Sequence, residues 1–93
     1  MAPRIEYSQE KNELLKATRG INFADVIEAI EKKAILADLD HKNRKKYPNQ
    51  RILVVKIRGY AYVVPYVLDR KRNVAYLKTI YPSRVATKKY IMS

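Results

Sequence analysis

The chain of 93 residues has no cysteine and no tryptophan, two glycines, one histidine and one phenylalanine. Without cysteine there is no disulfide and no thiolate zinc site. That suits a reducing compartment. With two glycines there is no Gly-rich loop to cradle phosphates. With His41 as the single histidine, neither a histidine pair for metal nor a histidine relay is available. The Asp38-x-Asp40-His41 spacing is weak evidence for a metal. No serine–histidine–carboxylate arrangement is indicated. No segment approaches the roughly 20 apolar residues that span a bilayer, and the Met-Ala-Pro-Arg-Ile-Glu-Tyr start lacks the apolar stretch of a secretory signal. The expectation is a soluble, cytoplasmic protein forming one domain over residues 1–93.

Acidic residues are nearly missing from the second half. Residues 1–40 hold six Lys/Arg and eight Asp/Glu; residues 41–93 hold fourteen Lys/Arg and one acid, Asp69. The formal net charge of +11 is therefore concentrated after residue 40. Such one-sided charge repels itself unless a counter-charge is bound, and nucleic acid is the commonest polyanion. An acidic protein is the other partner it fits. The basic residues form three clusters: Lys42, Arg44, Lys45 and Lys46; Arg70, Lys71 and Arg72; and Arg84, Lys88 and Lys89.

Periodicity predicts an α+β fold in the order β-α-α-β-β-β-β-α, with helices packed on one face of an antiparallel meander. The first strand covers Arg4 to Tyr7. Ser8 caps a helix over Gln9 to Arg19, with Leu14 and Leu15 as its buried stripe and Gly20 as its stop. Asn22 caps a second helix with Asp25 as the capping-box acid; Phe23, Val26, Ile27 and Ile30 share its apolar face. Strands follow at Ala34 to Leu39, Arg51 to Arg58 and Tyr60 to Leu68, the last with Pro65 marking a bulge or an edge. A final strand over Val74 to Tyr81 sets Val74, Tyr76, Lys78 and Ile80 on one face, and Ala75, Leu77, Thr79 and Tyr81 on the other. Ser83 then caps a short basic helix opened by Arg84.

Five of the eight tyrosines, Tyr60, Tyr62, Tyr66, Tyr76 and Tyr81, fall on or at the ends of the last two strands. Tyrosines on a covered sheet face are packing. On an open face flanked by cations they stack bases while Lys and Arg hold phosphates. RNA cleavage needs a 2′-hydroxyl nucleophile, proton transfer and cationic stabilisation of the phosphorane. The planar fork of arginine suits that last task. His41 is a candidate general acid or base by its ordinary pKa, though a solvated histidine is the commoner reading.

Three motifs in order resemble the BrnT-like toxins of bacterial type II toxin–antitoxin systems: Ile5-Glu-Tyr-Ser with Lys11 and Gly20-Ile-Asn-Phe23; Tyr47-Pro-Asn-Gln-Arg51; and, most specifically, Tyr81-Pro-Ser-Arg-Val-Ala-Thr-Lys88. The resemblance covers nearly the whole chain. It implies a RelE/ParE-like fold with the antiparallel sheet against two N-terminal helices. It also implies a metal-independent ribonuclease that cleaves mRNA and suppresses translation without a cofactor. The implied partners are mRNA, free or on the ribosome, and a small antitoxin that alone contacts operator DNA. By matched position the catalytic candidates are Arg84, Arg51 and His41, with Tyr81 assisting proton transfer. Lys11, Lys42, Arg44, Lys45, Lys46, Lys78, Lys88 and Lys89 are candidates for holding RNA. Arg19 departs from a common histidine, Ser8 from an acid, and Asn49 and Gln50 from common glutamates. Two alternatives stay open: a non-enzymatic basic binder of nucleic acid or of a gyrase-type target, and a catalytically inactive toxin relative.

Overall fold

Ser8, Asn22 and Ser83 each begin a helix by the same chemistry: a short side-chain oxygen accepts an N–H that the first turn leaves without a partner. In the computed structural model, which describes residues 2–92, Ser8 Oγ accepts from Lys11 N–H at 3.1 Å and Ser83 Oγ from Ala86 N–H at 3.0 Å. Asn22 and Asp25 form a reciprocal capping box. These caps open α1 (Gln9–Arg19), α2 (Phe23–Glu31) and α3 (Arg84–Tyr90). Gly20 ends α1 in the left-handed conformation at φ 65°, which costs glycine nothing.

The strands are β1 (Arg4–Tyr7), β2 (Ile35–Asp40), β3 (Gln50–Ile57), β4 (Tyr60–Asp69), β5 (Val74–Leu77) and the two-residue β6 (Tyr81–Pro82). They lie in the order β1-β5-β4-β3-β2, with β6 also on β4. The fold is α+β, but the sheet is mixed: β1 pairs with β5 in parallel, Arg4 opposite Val74 through Tyr7 opposite Leu77. The expected all-antiparallel meander holds for β2 to β5 only. Because β1 and β2 occupy opposite edges, the α1–α2 hairpin that joins them must cross the whole sheet, and it covers one face. The β3–β4 hairpin turns on Arg58 and Gly59, both at positive φ, as a two-residue loop requires.

Alternation divides the sheet residues between two cores. Leu53, Val55, Ile57, Val64, Tyr66, Ala75 and Leu77 pack with Leu15, Phe23, Val26 and Ala29 of the helical hairpin. Val54, Ala61 and Val63 pack with Ala86 and, more loosely, Tyr90 and Ile91. Hence α3 lies on the face opposite α1 and α2, and the expectation of helices on one face does not hold. In α1 only half of the expected stripe is buried: Leu15 is, whereas Leu14 is 54% exposed. The second inward position belongs to Asn12, whose Oδ1 accepts the Phe23 N–H at 2.7 Å and so ties α1 to the start of α2.

The predicted last strand is broken, and Pro65 gives the reason. Tyr66 lies opposite Leu77, but Val63 lies opposite Tyr81 and Tyr62 opposite Pro82. The segment between therefore carries one residue more than its partner, a bulge. Pro65 O accepts from Lys78 N–H at 2.8 Å, so the Pro65 nitrogen faces the same side and cannot donate to the ladder there. The slip reverses every later side chain. Ile80 turns into the α1–α2 core, fully buried beside Ala75 and Leu77. Tyr81 comes out on the face of Val63, Lys78 and Tyr76, not with Ala75 and Leu77 as strict alternation predicts.

Candidate nucleic-acid interface

The segment following the bulge is fastened at several points. The Arg19 Nη1 group donates to Ile80 O at 2.5 Å from the α1–α2 side. Ser83 N–H donates to Ala61 O at 3.0 Å. The buried Thr87 hydroxyl donates to Ser83 O at 2.7 Å and accepts Ala61 N–H at 2.9 Å. These bonds fix the start of α3 over the start of β4. Facing outward from this anchored turn are Tyr81, 39% exposed, and the exposed side chains of Arg84, Lys88 and Lys89. Lys89 Nζ sits 5.3 Å from the Tyr90 ring centroid.

The seven residues of α3 lie over Val54, Ala61 and Val63, with Leu36, Ala37 and Ile52 at the edge of the same cluster. Among the described residues no other helix lies on this sheet face. Leu39, Ile52 and Pro65 lie side by side across β2, β3 and β4, and Val67 lies beside Tyr76. Leu39 is 46% and Tyr76 39% exposed. Lys78, exposed, is held beside Pro65 by its backbone bond. Two tyrosine rings, Tyr76 and Tyr81, thus share an open, partly apolar floor with Lys78 and, at its margin, Arg84. Such a floor can stack bases while the cations hold phosphate.

The other tyrosines are elsewhere. Tyr62 and Tyr66 are on the helix-covered face, and Tyr60 meets Tyr62 edge to face at 6.0 Å. These rings pack rather than stack bases. Tyr66 also organises a polar network. Its hydroxyl donates to Asp38 Oδ1 at 2.8 Å and accepts from Arg51 Nε at 3.1 Å. Burial, then the bond to the Asp38 carboxylate, pushes the Tyr66 phenol up to about 12. Arg51 further reaches Asp38 Oδ1 at 3.2 Å and makes a very close pair with Asp40. Its pKa is raised, first by the bond to Tyr66, with the Asp38 charge adding to it.

Arg51 is therefore matched by two carboxylates on the face opposite Tyr81, and the structure does not bring it to Arg84. His41 is also apart. It sits at the end of β2, its N–H bonded to Gln50 O and its Nδ1 accepting Asn43 N–H at 3.0 Å. Three strand spacings and four residues separate it from Tyr81, on the order of 20 Å. Lys11 lies on α1, across the sheet from Tyr81. Lys42, Arg44, Lys45 and Lys46 lie in the β2–β3 loop, at the end of the sheet where His41 sits. Of the expected site, then, Lys78 and Tyr81 share one sheet face, and Arg84, Lys88 and Lys89 lie on α3, which follows Tyr81 in the chain.

Sequence reasoning missed Tyr76 as the partner of Tyr81, because the bulge decides that pairing. It also missed Thr87, though its spacing of four from Ser83 is a signal for a hydroxyl bonding back into a helix. Among the described residues no group of three or more His, Asp or Glu side chains is placed to hold a metal, and Asp38 and Asp40 are both engaged by Arg51. Nor is any helix among them long and apolar enough to cross a membrane. The chain matches no protein-family model, no curated protein and no solved structure.

Proposed function

We propose that this protein is a cytoplasmic toxin of a type II toxin–antitoxin system, a metal-independent ribonuclease with a RelE/ParE-like fold that cleaves mRNA and is neutralised by a small antitoxin. The observation that carries the reading is the placement of Tyr76, Lys78 and Tyr81 on one sheet face, with Arg84 at its margin where α3 begins. Bases stack on Tyr76 and Tyr81, and Lys78 holds a flanking phosphate. The substrate 2′-oxygen attacks phosphorus and the bond to the 5′-oxygen breaks, giving a cyclic phosphate and a free 5′-hydroxyl. Arg84 balances the charge of the phosphorane. The Tyr81 phenol protonates the departing 5′-oxygen and is reprotonated through water by the proton lost from the 2′-hydroxyl.

The test is induced expression in bacteria, wild type beside Arg84→Ala, with mapping of RNA 5′ ends. The reading expects growth arrest with new mRNA ends, both lost in the variant. Arrest that persists unchanged in Arg84→Ala removes Arg84 from the mechanism. A second reading, a binder that does not cut, is favoured by the separation of His41 from Tyr81 and Arg84. It expects RNA to shift on a gel with steep salt dependence while remaining intact.

A further inference from the structure

Two basic clusters far apart in sequence meet at one end of the sheet. The β2–β3 loop and the β4–β5 turn are joined where Leu68 N–H donates to Asn49 O at 2.9 Å. The turn is joined in turn to the start of β1, since Arg4 N–H donates to Asn73 O at 2.9 Å. The loop contributes Lys42, Arg44, Lys45 and Lys46. The turn contributes Arg70, Lys71 and Arg72, and β1 adds Arg4. These eight cations face three carboxylates, Glu6, Asp40 and Asp69, leaving a local charge of +5. Glu6 pairs with Arg4 at 2.8 Å and Arg72 at 4.0 Å, and Asp40 with Arg44 at 3.6 Å. Among the described residues Lys42, Lys45, Arg70 and Lys71 have no ion pair, and all four are exposed.

The loop that carries the larger cluster is ordered. Asn43 Oδ1 accepts Lys46 N–H at 3.1 Å, Asn43 O accepts Tyr47 N–H at 2.9 Å, and Tyr47 O accepts Gln50 N–H at 3.2 Å. The His41 and Tyr47 rings pack at 4.7 Å, and Lys46 Nζ lies 5.4 Å from the Tyr47 centroid. Holding like charges close in a bonded loop is unfavourable unless an anion is bound. The patch lies about six residues along β4 from the β6 pairing, on the order of 20 Å from Tyr81, with Tyr76, opposite Val67, between them.

We propose that this end of the sheet is a separate anchoring site for the RNA phosphate backbone, which holds the strand flanking the segment seated on Tyr76 and Tyr81. It rests on the RNA reading above and adds to it a substrate class: RNA long enough to span both places. It reads no sequence, because lysine and arginine on phosphates carry no base information.

The test compares uncleavable 2′-O-methyl RNAs of about 3 nucleotides, too short to reach the patch from Tyr81, and about 12 nucleotides, titrated against wild type and a variant with Lys42→Gln, Lys45→Gln, Arg70→Gln and Lys71→Gln. The wild type binds the longer RNA about tenfold or more tightly than the shorter, and the variant loses that gain while holding the short RNA as before. Its log–log salt slope for the long RNA falls by up to about 0.7 for each phosphate contact removed. Equal loss of both RNAs, or no loss of either, overturns the separate anchor. Wild-type binding of the short RNA with no gain from length overturns the anchor alone. No binding of either RNA at low salt removes the RNA reading itself.

Discussion

The Thr87 hydroxyl accepts the Ala61 backbone N–H at 2.9 Å, so a buried side chain of α3 completes the hydrogen bonding of β4. Replacing Thr87 with valine keeps the shape and leaves a buried N–H without a partner. The expected cost is about 1–3 kcal/mol in urea unfolding. Thr87→Ser keeps the hydroxyl and loses only a methyl, about 1 kcal/mol.

Asn12 sets up a similar test in the helical hairpin. Its Oδ1 accepts the Phe23 N–H in a buried position. Asn12→Leu matches the apolar surroundings, yet it orphans that donor and is expected to destabilise the protein by about 1–3 kcal/mol. The exposed Leu14→Ala, two residues along on the other side of the helix and expected from sequence to be the worse change, stays within about 0.5 kcal/mol. A urea series that ranks Leu14→Ala above Asn12→Leu refutes this account of α1.

The bulge itself can be removed by deleting Thr79. That leaves Lys78, Ile80 and Tyr81 in plain alternation opposite Pro65, Val64 and Val63, so Ile80 stays in the core and Tyr81 stays on the open face. The deletion is expected to keep both the fold and RNA binding. Deleting Ile80 instead also removes the extra residue but puts Thr79 in the core place, at an expected cost of about 2–5 kcal/mol. Loss of RNA binding by the Thr79 deletion, read by gel shift on folded protein, refutes this register.

The Tyr66 phenol fixes the sign of an alkaline transition. Its folded pKa of about 12 lies above the ordinary value of 10.0. Between those values the unfolded chain loses the proton and the folded one keeps it. Its stability contribution is therefore complete below about pH 10 and is lost as pH rises toward about 12, on the order of 2–3 kcal/mol in all. The informative quantity is the difference between wild type and Tyr66→Phe, in which the contributions of every other group cancel. The two unfolding free energies are expected to converge by that amount across the window. Parallel curves sink the assignment.

Features set by a few neighbouring residues were legible in the sequence. Ser8, Asn22 with Asp25, Gly20 and Ser83 act within one turn of themselves, and the structure has each in its expected place. The α+β class followed from two helical periods among runs of alternation. What was not legible depends on partners far away. The parallel pairing of β1 requires knowing that β5 is its neighbour. Leu14 and Leu15 look equivalent until Asn12 is found bonded to Phe23. Whether a tyrosine packs or is presented outward depends on which face the α1–α2 hairpin crosses, and that follows from β1 and β2 lying at opposite edges. The slip beside Pro65 was foreshadowed by the proline itself. Its effect, moving Tyr81 to the face of Tyr76, follows from a count of residues on two strands together. Arg51 enters as a site residue by its matched position in the resemblance; Asp38 and Asp40 reach it only after β2 is laid against β3.

The pairing of β1 with β5 also bears on synthesis. Arg4–Tyr7 leaves the ribosome before the other strands and pairs with Val74–Leu77, made about 70 residues later. Contacts of such long sequence separation are slow to form. Until residue 77 emerges, one edge of the sheet is unfilled, and Ile5 and Tyr7 wait without the strand they lie against. The open-face residues Tyr76, Lys78, Tyr81 and Arg84 are translated in the same late interval. A growing chain thus acquires its last structural edge and the side chains of its open face together.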